Sequence, residues 1–168
     1  MAHEQHEHEA IDVAVHAAVV TVSDHRTTET DVSGELIASL LMQHGCSVDM
    51  RRLVRNEPDQ ISEALTDAQG LADVNLIIFT GGTGLSHRDQ TIDTVSERFD
   101  RAIPGFGDLF RTVSYREIGS AAWRSRAEAG VISGKLVLCL PGSTAAVRTA
   151  LEQLLLPQMK HAIWDIRR

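Results

Sequence analysis

The sequence predicts one α/β domain whose parallel or mostly parallel sheet is covered by helices on both faces. Three apolar runs carry that reading: "HAAVVTVSD", "VNLIIF" and "KLVLCL" are continuous, as suits strands buried on both sides. Between them lie stretches whose apolar residues recur at helical spacing, and strands alternating with helices give a parallel sheet. At 168 residues the chain fits a single domain, and no repeat or linker divides it.

Taken in order, residues 1–14 are polar and charged and are expected to form a loose tail ahead of a domain over 15–168. His3, His6 and His8 in that tail suit either a metal or a solvated arm. The first strand starts at His16. In "DVSGELIASLLMQHG" the residues Val32, Leu36, Ile37, Leu40 and Leu41 form one helical stripe, with Gly45 placed for a left-handed cap. "CSVDMRRLV" alternates Cys46, Val48 and Met50 as a strand does. "PDQISEALTDA" opens on Pro58, suited to a first helical turn, and carries Ile61, Leu65 and Ala68 on one face.

After the strand "VNLIIF", Thr91 is placed to cap a helix through "IDTVSERF". Pro104, Gly105 and Gly107 are expected to delay the next helix until Asp108. "SAAWRSRAEAGVI" reads as a further helix leading to a short strand. "STAAVRTALEQLLL" reads as a helix with Val147, Leu151, Leu154 and Leu155 inward, ending near Pro157, and the following tail is only weakly amphipathic. Phe106, Leu109, Phe110, Trp123 and Trp164 suit either core or interface.

Composition narrows the function classes. A formal charge of −7 argues against general attraction to nucleic acid or an anionic membrane, while leaving small anions open to local donors. No apolar stretch approaches the roughly 20 residues of a membrane span. The start "MAHEQHEHEAIDV" lacks the layout of a signal peptide. Cys46 and Cys139 lack metal-ligand spacing and read as reduced thiols of a cytoplasmic protein.

The chemistry is expected at strand ends, because open α/β sheets bind ligands beyond the carboxyl ends of their strands. Three ends are small and polar: "VSD" with Ser23 and Asp24, "TGGTG" over Thr80 to Gly84, and "LPGST" with Pro141, Gly142 and Ser143. Gly81, Gly82 and Gly84 can take positive φ, letting successive amides turn inward as an anion nest, with Thr80 and Thr83 adding hydroxyls. Gly142 permits close approach ahead of a helix start, where free N–H groups suit a phosphate. The same glycines also serve tight turns with no ligand at all. "GGTG" has neither the Lys-Ser or Lys-Thr of a nucleotide-hydrolase loop nor the spacing of a dinucleotide fingerprint. Asp89, just beyond, is placed either to hold a metal ion against phosphates or to pair with Arg88 at the surface.

Together "VVTVSDHRTTETDVSGELI", "IIFTGGTGLSHRDQTIDTV", "IPGFGDLFRTVSYREIG" and "LPGSTAAVRTALEQLLLPQ" resemble the MoaB/MogA family of molybdenum-cofactor biosynthesis proteins, over about residues 16–161. "FRTVSYREIG" and "LPGST" resemble its MoaB branch. The resemblance implies a three-layer α/β/α sandwich that assembles as a trimer or hexamer. It implies a cleft for molybdopterin, with AMP transferred from ATP to its terminal phosphate in the presence of Mg²⁺. A product handed on to a molybdate-inserting protein is implied as well. Carried over by motif, Ser23, Asp24, Thr80, Gly81, Gly82, Thr83, Gly84, Pro141, Gly142 and Ser143 would contact the pterin phosphate or nucleotide, with Ser114 a further contact. Asp89 matches the catalytic, metal-binding carboxylate. One departure stands out: active relatives commonly carry "V-P-D-D" or "I-P-D-E" after the second strand. Here the stretch is "VRNEPDQ", with Arg55 for the proline, Asn56 for the first Asp, and Glu57 next to it as the available charge. The resemblance therefore also admits a binding protein without catalysis.

Overall fold

The computed structural model describes residues 13–168. The expectations for the histidine-bearing tail fall almost wholly outside these residues. Where the chain comes into view it already belongs to the domain: Val13 packs on the core, and the Ala14 carbonyl accepts from Asn75 Nδ2 at 2.8 Å.

Six strands form one sheet: β1 (His16–Val22), β2 (Ser47–Val54), β3 (Leu76–Thr80), β4 (Arg101–Ala102), β5 (Glu128–Ile132) and β6 (Lys135–Leu140). Their order is β2-β1-β3-β6-β5-β4. β2, β1, β3 and β6 run parallel, and β5 alone runs antiparallel to both its neighbours. The mostly parallel expectation holds. The three runs that nominated strands are β1, β3 and β6, the sheet's centre, and nearly all their residues are buried.

Alternate residues of β1 divide the core. Ala17 and Val19 face α1 (Val32–Gln43), α4 (Pro104–Ile118), α5 (Thr144–Thr149) and α6 (Leu156–Arg167), through Ile37, Leu41, Phe110, Val147 and Ile163. Ala18 and Val20 face α2 (Pro58–Gly70) and α3 (Thr91–Ser96), through Ile61, Leu65, Ile92 and Val95. This is the three-layer α/β/α sandwich. Each Leu, Ile or Phe wholly withdrawn from water contributes about 1.5–3 kcal/mol relative to exposure, so the central strands give the loops at their ends a rigid base.

Several elements depart from expectation, each for a local reason. Val32 is 59% exposed, because the buried face of α1 runs through Ser33, Gly34, Ile37 and Leu41 beside it. Gly45 does take the left-handed conformation, at φ +75°. α4 starts at Pro104 rather than Asp108: proline fits a first turn that has no acceptor for its amide, and Gly107 is needed where the helix meets the Ala127 carbonyl. The stretch after it is a short 3-10 turn, Gly119–Arg124, rather than a helix.

α5 does not end near Pro157. It passes through a π-helical turn, Ala150–Leu155, into α6, which extends to Arg167 and buries Met159 and Ile163. A proline in the first turn of a new α segment needs no amide partner, and the wider turn lets the chain continue. Phe110 is core, Phe106 half-buried, and Leu109 and Trp123 are exposed. Among the described residues no helix is long and apolar enough to cross a membrane.

Candidate functional site

The strand order reverses between β1 and β3, the switch point at which open α/β sheets bind ligands. Thr21 of β1 pairs with Thr80 of β3, and Thr80 with Leu140 of β6, so the three predicted turns leave the sheet level with one another. They touch. The Gly81 amide donates to the Leu140 carbonyl at 2.9 Å, and Thr80 Oγ1 donates to the Pro141 carbonyl at 3.1 Å. A Cβ on Gly81 would collide with the Val22 carbonyl, and one on Gly142 would lie 3.1 Å from Gly81 Cα. Both glycines are there because three backbones converge within a space that has no room for side chains.

The glycine loop is held from behind by Thr91, which is buried. Its amide donates to the Gly82 carbonyl at 2.9 Å and its hydroxyl to the Gly81 carbonyl at 2.8 Å. Thr91 is thus the first residue of α3, with Gln90 as its cap, and its hydroxyl serves the loop instead of the helix. In a trans peptide the C=O and the following N–H point to opposite sides. Fixing the Gly81 and Gly82 carbonyls towards α3 therefore turns the Gly82 and Thr83 amides away from it. Those two amides and that of Gly84 have no hydrogen-bond partner among the described residues. Gly81 (φ +94°) and Gly82 (φ +61°) take the left-handed conformations that such a nest requires. Gly84 does not. It is small because the carboxylate of Asp89 lies over it, with Oδ2 2.7 Å from where a Cβ would stand.

Asp89 Oδ2 accepts the Ser86 amide at 3.1 Å, which folds the rest of the loop back on itself. No ion pair between Asp89 and Arg88 forms among the described residues. Arg126 closes the outer side, donating to the Gly84 carbonyl at 3.2 Å and pairing with Asp93 at 2.7 Å.

The loop after β2 joins the same site. The Asn56 amide donates to Asp24 Oδ1 at 3.0 Å, and Asn56 Oδ1 accepts the Gln90 amide at 3.1 Å. Asn56 Oδ1 also stands 2.7 Å from the Cβ position of Gly82. One residue, through its backbone amide and its side chain, therefore links the loops after β1, β2 and β3. Glu57 caps the backbone of α2 with its own side chain exposed. Beside these residues opens a cavity of about 690 Å³, whose walls include Asp24, His25, Arg55, Asn56, Glu57 and Arg88. That is ample for a nucleotide-sized ligand.

On the other flank, Ser23 Oγ accepts the amides of His25 and Arg26, turning the loop so that Arg26 reaches the Gly142 carbonyl. Ser143 caps α5, its Oγ accepting the Ala146 amide at 3.2 Å. Ser114 is buried on the inner face of α4, and no hydrogen bond among the described residues joins it to these loops. Sequence reasoning missed the supporting roles of Arg26 and Gln90, and read Thr91 only as a helix cap. A polar residue that supports a loop from below has no motif of its own. Among the described residues no three His, Cys, Asp or Glu group as a metal cage.

A doubly wound sheet whose central strands end in three adjoining glycine-bearing turns defines the class, an α/β protein with its candidate site at the switch point. A family model described as a probable molybdopterin binding domain matches residues 18–161. The chain is 42% identical to molybdenum cofactor biosynthesis protein B of Halalkalibacterium halodurans, over 99% of this chain and 98% of that one. A crystal structure of molybdenum cofactor biosynthesis protein B superposes with a TM-score of 0.90 at 42% identity, covering 93% of this chain and 98% of its own. That of the tungsten cofactor synthesizing protein MoaB from Pyrococcus furiosus gives 0.85 at 32% identity, covering 92% and 98%. The chain belongs to the MoaB/MogA family of molybdenum-cofactor biosynthesis proteins, in its MoaB branch.

Proposed function

We propose that this protein binds molybdopterin at the switch-point crevice and transfers AMP from ATP to its terminal phosphate. The observation that carries the reading is the pair of amides at Gly82 and Thr83, aimed by Thr91 and without acceptors among the described residues. Such donors, fixed before the ligand arrives, suit phosphoryl oxygens and need no reorganisation as charge develops. In the reaction an oxygen of the pterin phosphate attacks the α-phosphorus of ATP. The bond from that phosphorus to the bridging oxygen breaks, and pyrophosphate leaves. The chain's part is to hold two polyanions in line: the glycine loop with Ser23 and the Pro141–Ser143 turn on one side, the larger cavity with Asp24 and Asn56 on the other.

Mg²⁺ brought with ATP would supply charge neutralisation. Asp89 is the carboxylate that would hold it, while Asp24 and Glu57 line the cavity alongside. The reading includes a homo-oligomer, trimer or hexamer, supported by the exposed Leu109, Tyr115, Ile118 and Trp123 along α4 and the turn after it. It also includes a cytoplasmic site of action and handover of the product to a molybdate-inserting protein.

Asn56 favours a second reading, a molybdopterin-binding protein without catalysis. Its oxygen is already committed to the Gln90 amide, and an amide adds no charge beside a metal ion. Incubation with molybdopterin and Mg-ATP separates the two. Pyrophosphate release coupled to an adenylylated pterin supports the transferase, tight pterin binding without release supports the binder, and neither result rejects both.

A further inference from the structure

The turn after β6 is gripped by two side chains that no motif predicts. Ser33 is fully buried in the first turn of α1, and its Oγ donates to the Gly142 carbonyl at 2.7 Å. Arg26 donates to the same carbonyl through Nη2 at 3.2 Å and to Ser33 Oγ through Nη1 at 2.8 Å. Beneath them the buried Asp31 accepts the Gly34 amide at 3.0 Å and Thr21 Oγ1 at 2.9 Å, and its carboxylate lies 3.8 Å from Arg26. Arg51, itself paired with Glu35, faces Asp31 from β2 at 3.7 Å. Two donors, one from the loop after β1 and one from α1, thus meet on one carbonyl of a distant turn, with Asp31 beneath them.

We infer that Arg26 and Ser33 are positioning residues, a two-point clamp on the Gly142 carbonyl that sets the Pro141–Ser143 turn against the glycine loop. The physical reason is the planarity of the peptide. With its C=O fixed towards α1, the Gly142–Ser143 plane has one orientation, and the Ser143 amide is directed to its opposite side. The Pro141 carbonyl is fixed separately by Thr80 Oγ1, so both peptide planes of the turn are determined by side chains. Because Gly142 lies against Gly81, any rotation of the turn is felt at the nest. The guanidinium suits this task, since its fork of donors spans two acceptors at once, whereas an ammonium has one nitrogen to offer. As a consequence for ligand binding, the inference rests on the molybdopterin reading above. As a statement about the turn, it does not.

The test uses Ser33→Ala, Arg26→Ala and Arg26→Lys in the full-length protein, with two readouts. Amide exchange by NMR is followed at Gly81 and Ala146, whose amides are bonded to the Leu140 carbonyl and to Ser143 Oγ, and molybdopterin affinity is measured by calorimetry without ATP. Ser33→Ala and Arg26→Ala are expected to speed exchange at both amides while the thermal midpoint shifts by only a few degrees. They are expected to weaken molybdopterin by about tenfold or more, the size of a lost hydrogen bond to a charged partner. Arg26→Lys should restore the midpoint but only part of the affinity, a split that a purely structural role would not produce. Unchanged exchange in both alanine variants overturns the clamp. Faster exchange with wild-type affinity overturns its role in binding. If the wild-type protein binds no molybdopterin, the functional reading fails, and the exchange data alone decide whether the clamp exists.

Discussion

Asn56 Oδ1 accepts the backbone amide of Gln90 at 3.1 Å, across the mouth of the crevice. The bond ties the loop after β2 to the start of α3, and the Asn56 amide continues the tie to Asp24. An aspartate could make the same contact with either oxygen and keep a second, charged one for a ligand. Asn56→Asp is therefore expected to leave stability nearly unchanged while raising AMP transfer at saturating Mg²⁺. Asn56→Ala, which leaves the Gln90 amide without its acceptor, should cost about 1–2 kcal/mol in urea denaturation. A transferase rate that does not respond to Asn56→Asp would mean that charge at this position is not what limits the chemistry.

The Asp89 carboxylate covers Gly84 and accepts the Ser86 amide, but it is only half-buried and has no ion pair among the described residues. Removing it should cost little stability, on the order of 1 kcal/mol for one backbone hydrogen bond. Asp89→Ala is expected to abolish pyrophosphate release while pterin affinity stays within a few-fold of the wild type. Equal rates for the two proteins would take Asp89 out of the reaction.

Much of this architecture was legible in the sequence, and the part that was not has a common cause. β1, β3 and β6 are continuous apolar runs because both their faces are covered, and their shortness and polar, small flanks separate them from a buried helix. The glycine loop was legible because φ above zero and a backbone pressed against Val22 each exclude a side chain. The helix boundaries at Pro104 and Pro157 were misread, since proline signals a first turn as readily as a break, and only the packing of Met159 and Ile163 decides between them. Gly84 was placed in the nest by its spacing alone, but the sequence does not show that Asp89 needs the room. Arg26 and Ser33 support the turn after β6 from distant parts of the chain. Long-range hydrogen bonds of this kind leave no periodicity to read.

Gly81 gives the sharpest stability test. Its φ of +94° disfavours any L side chain, and a Cβ would also strike the Val22 carbonyl, which belongs to the rigid central strand and cannot yield. Backbone strain and overpacking each cost about 1–3 kcal/mol, so Gly81→Ala should lose roughly 2–6 kcal/mol by chemical denaturation. Gly105→Ala is the control: nothing lies near its Cβ position, and φ there is ordinary. That change should be neutral or slightly stabilising, since alanine favours the helix by up to about 1 kcal/mol. Equal destabilisation by both substitutions would contradict the reading of the loop as a close-packed crossing of three backbones.

The two thiols offer a test that is independent of function. Cys139 is completely buried in β6, and Cys46 is nearly so at the entrance to β2. Burial pushes both thiols above their ordinary range, Cys139 far above it, with the nearby Glu128 adding to the shift. Only the thiolate reacts with an alkylating reagent, so at pH 8 neither cysteine should be modified by iodoacetamide in the native state, and both should be in urea. The same shift sets the sign of a pH effect. A group whose folded value is raised contributes stability that is fully present below its unfolded value, and that stability is lost as pH rises past it. The denaturation midpoint should therefore fall above about pH 8.5, where unfolded thiols ionise and the folded Cys139 does not. Cys139→Ala should flatten that fall, leaving the weaker contribution of Cys46. Lys135 acts in the opposite sense, because burial lowers its value while its ammonium donates to the Leu71 and Val74 carbonyls. It is present in both proteins, so the difference between their pH profiles isolates the thiol.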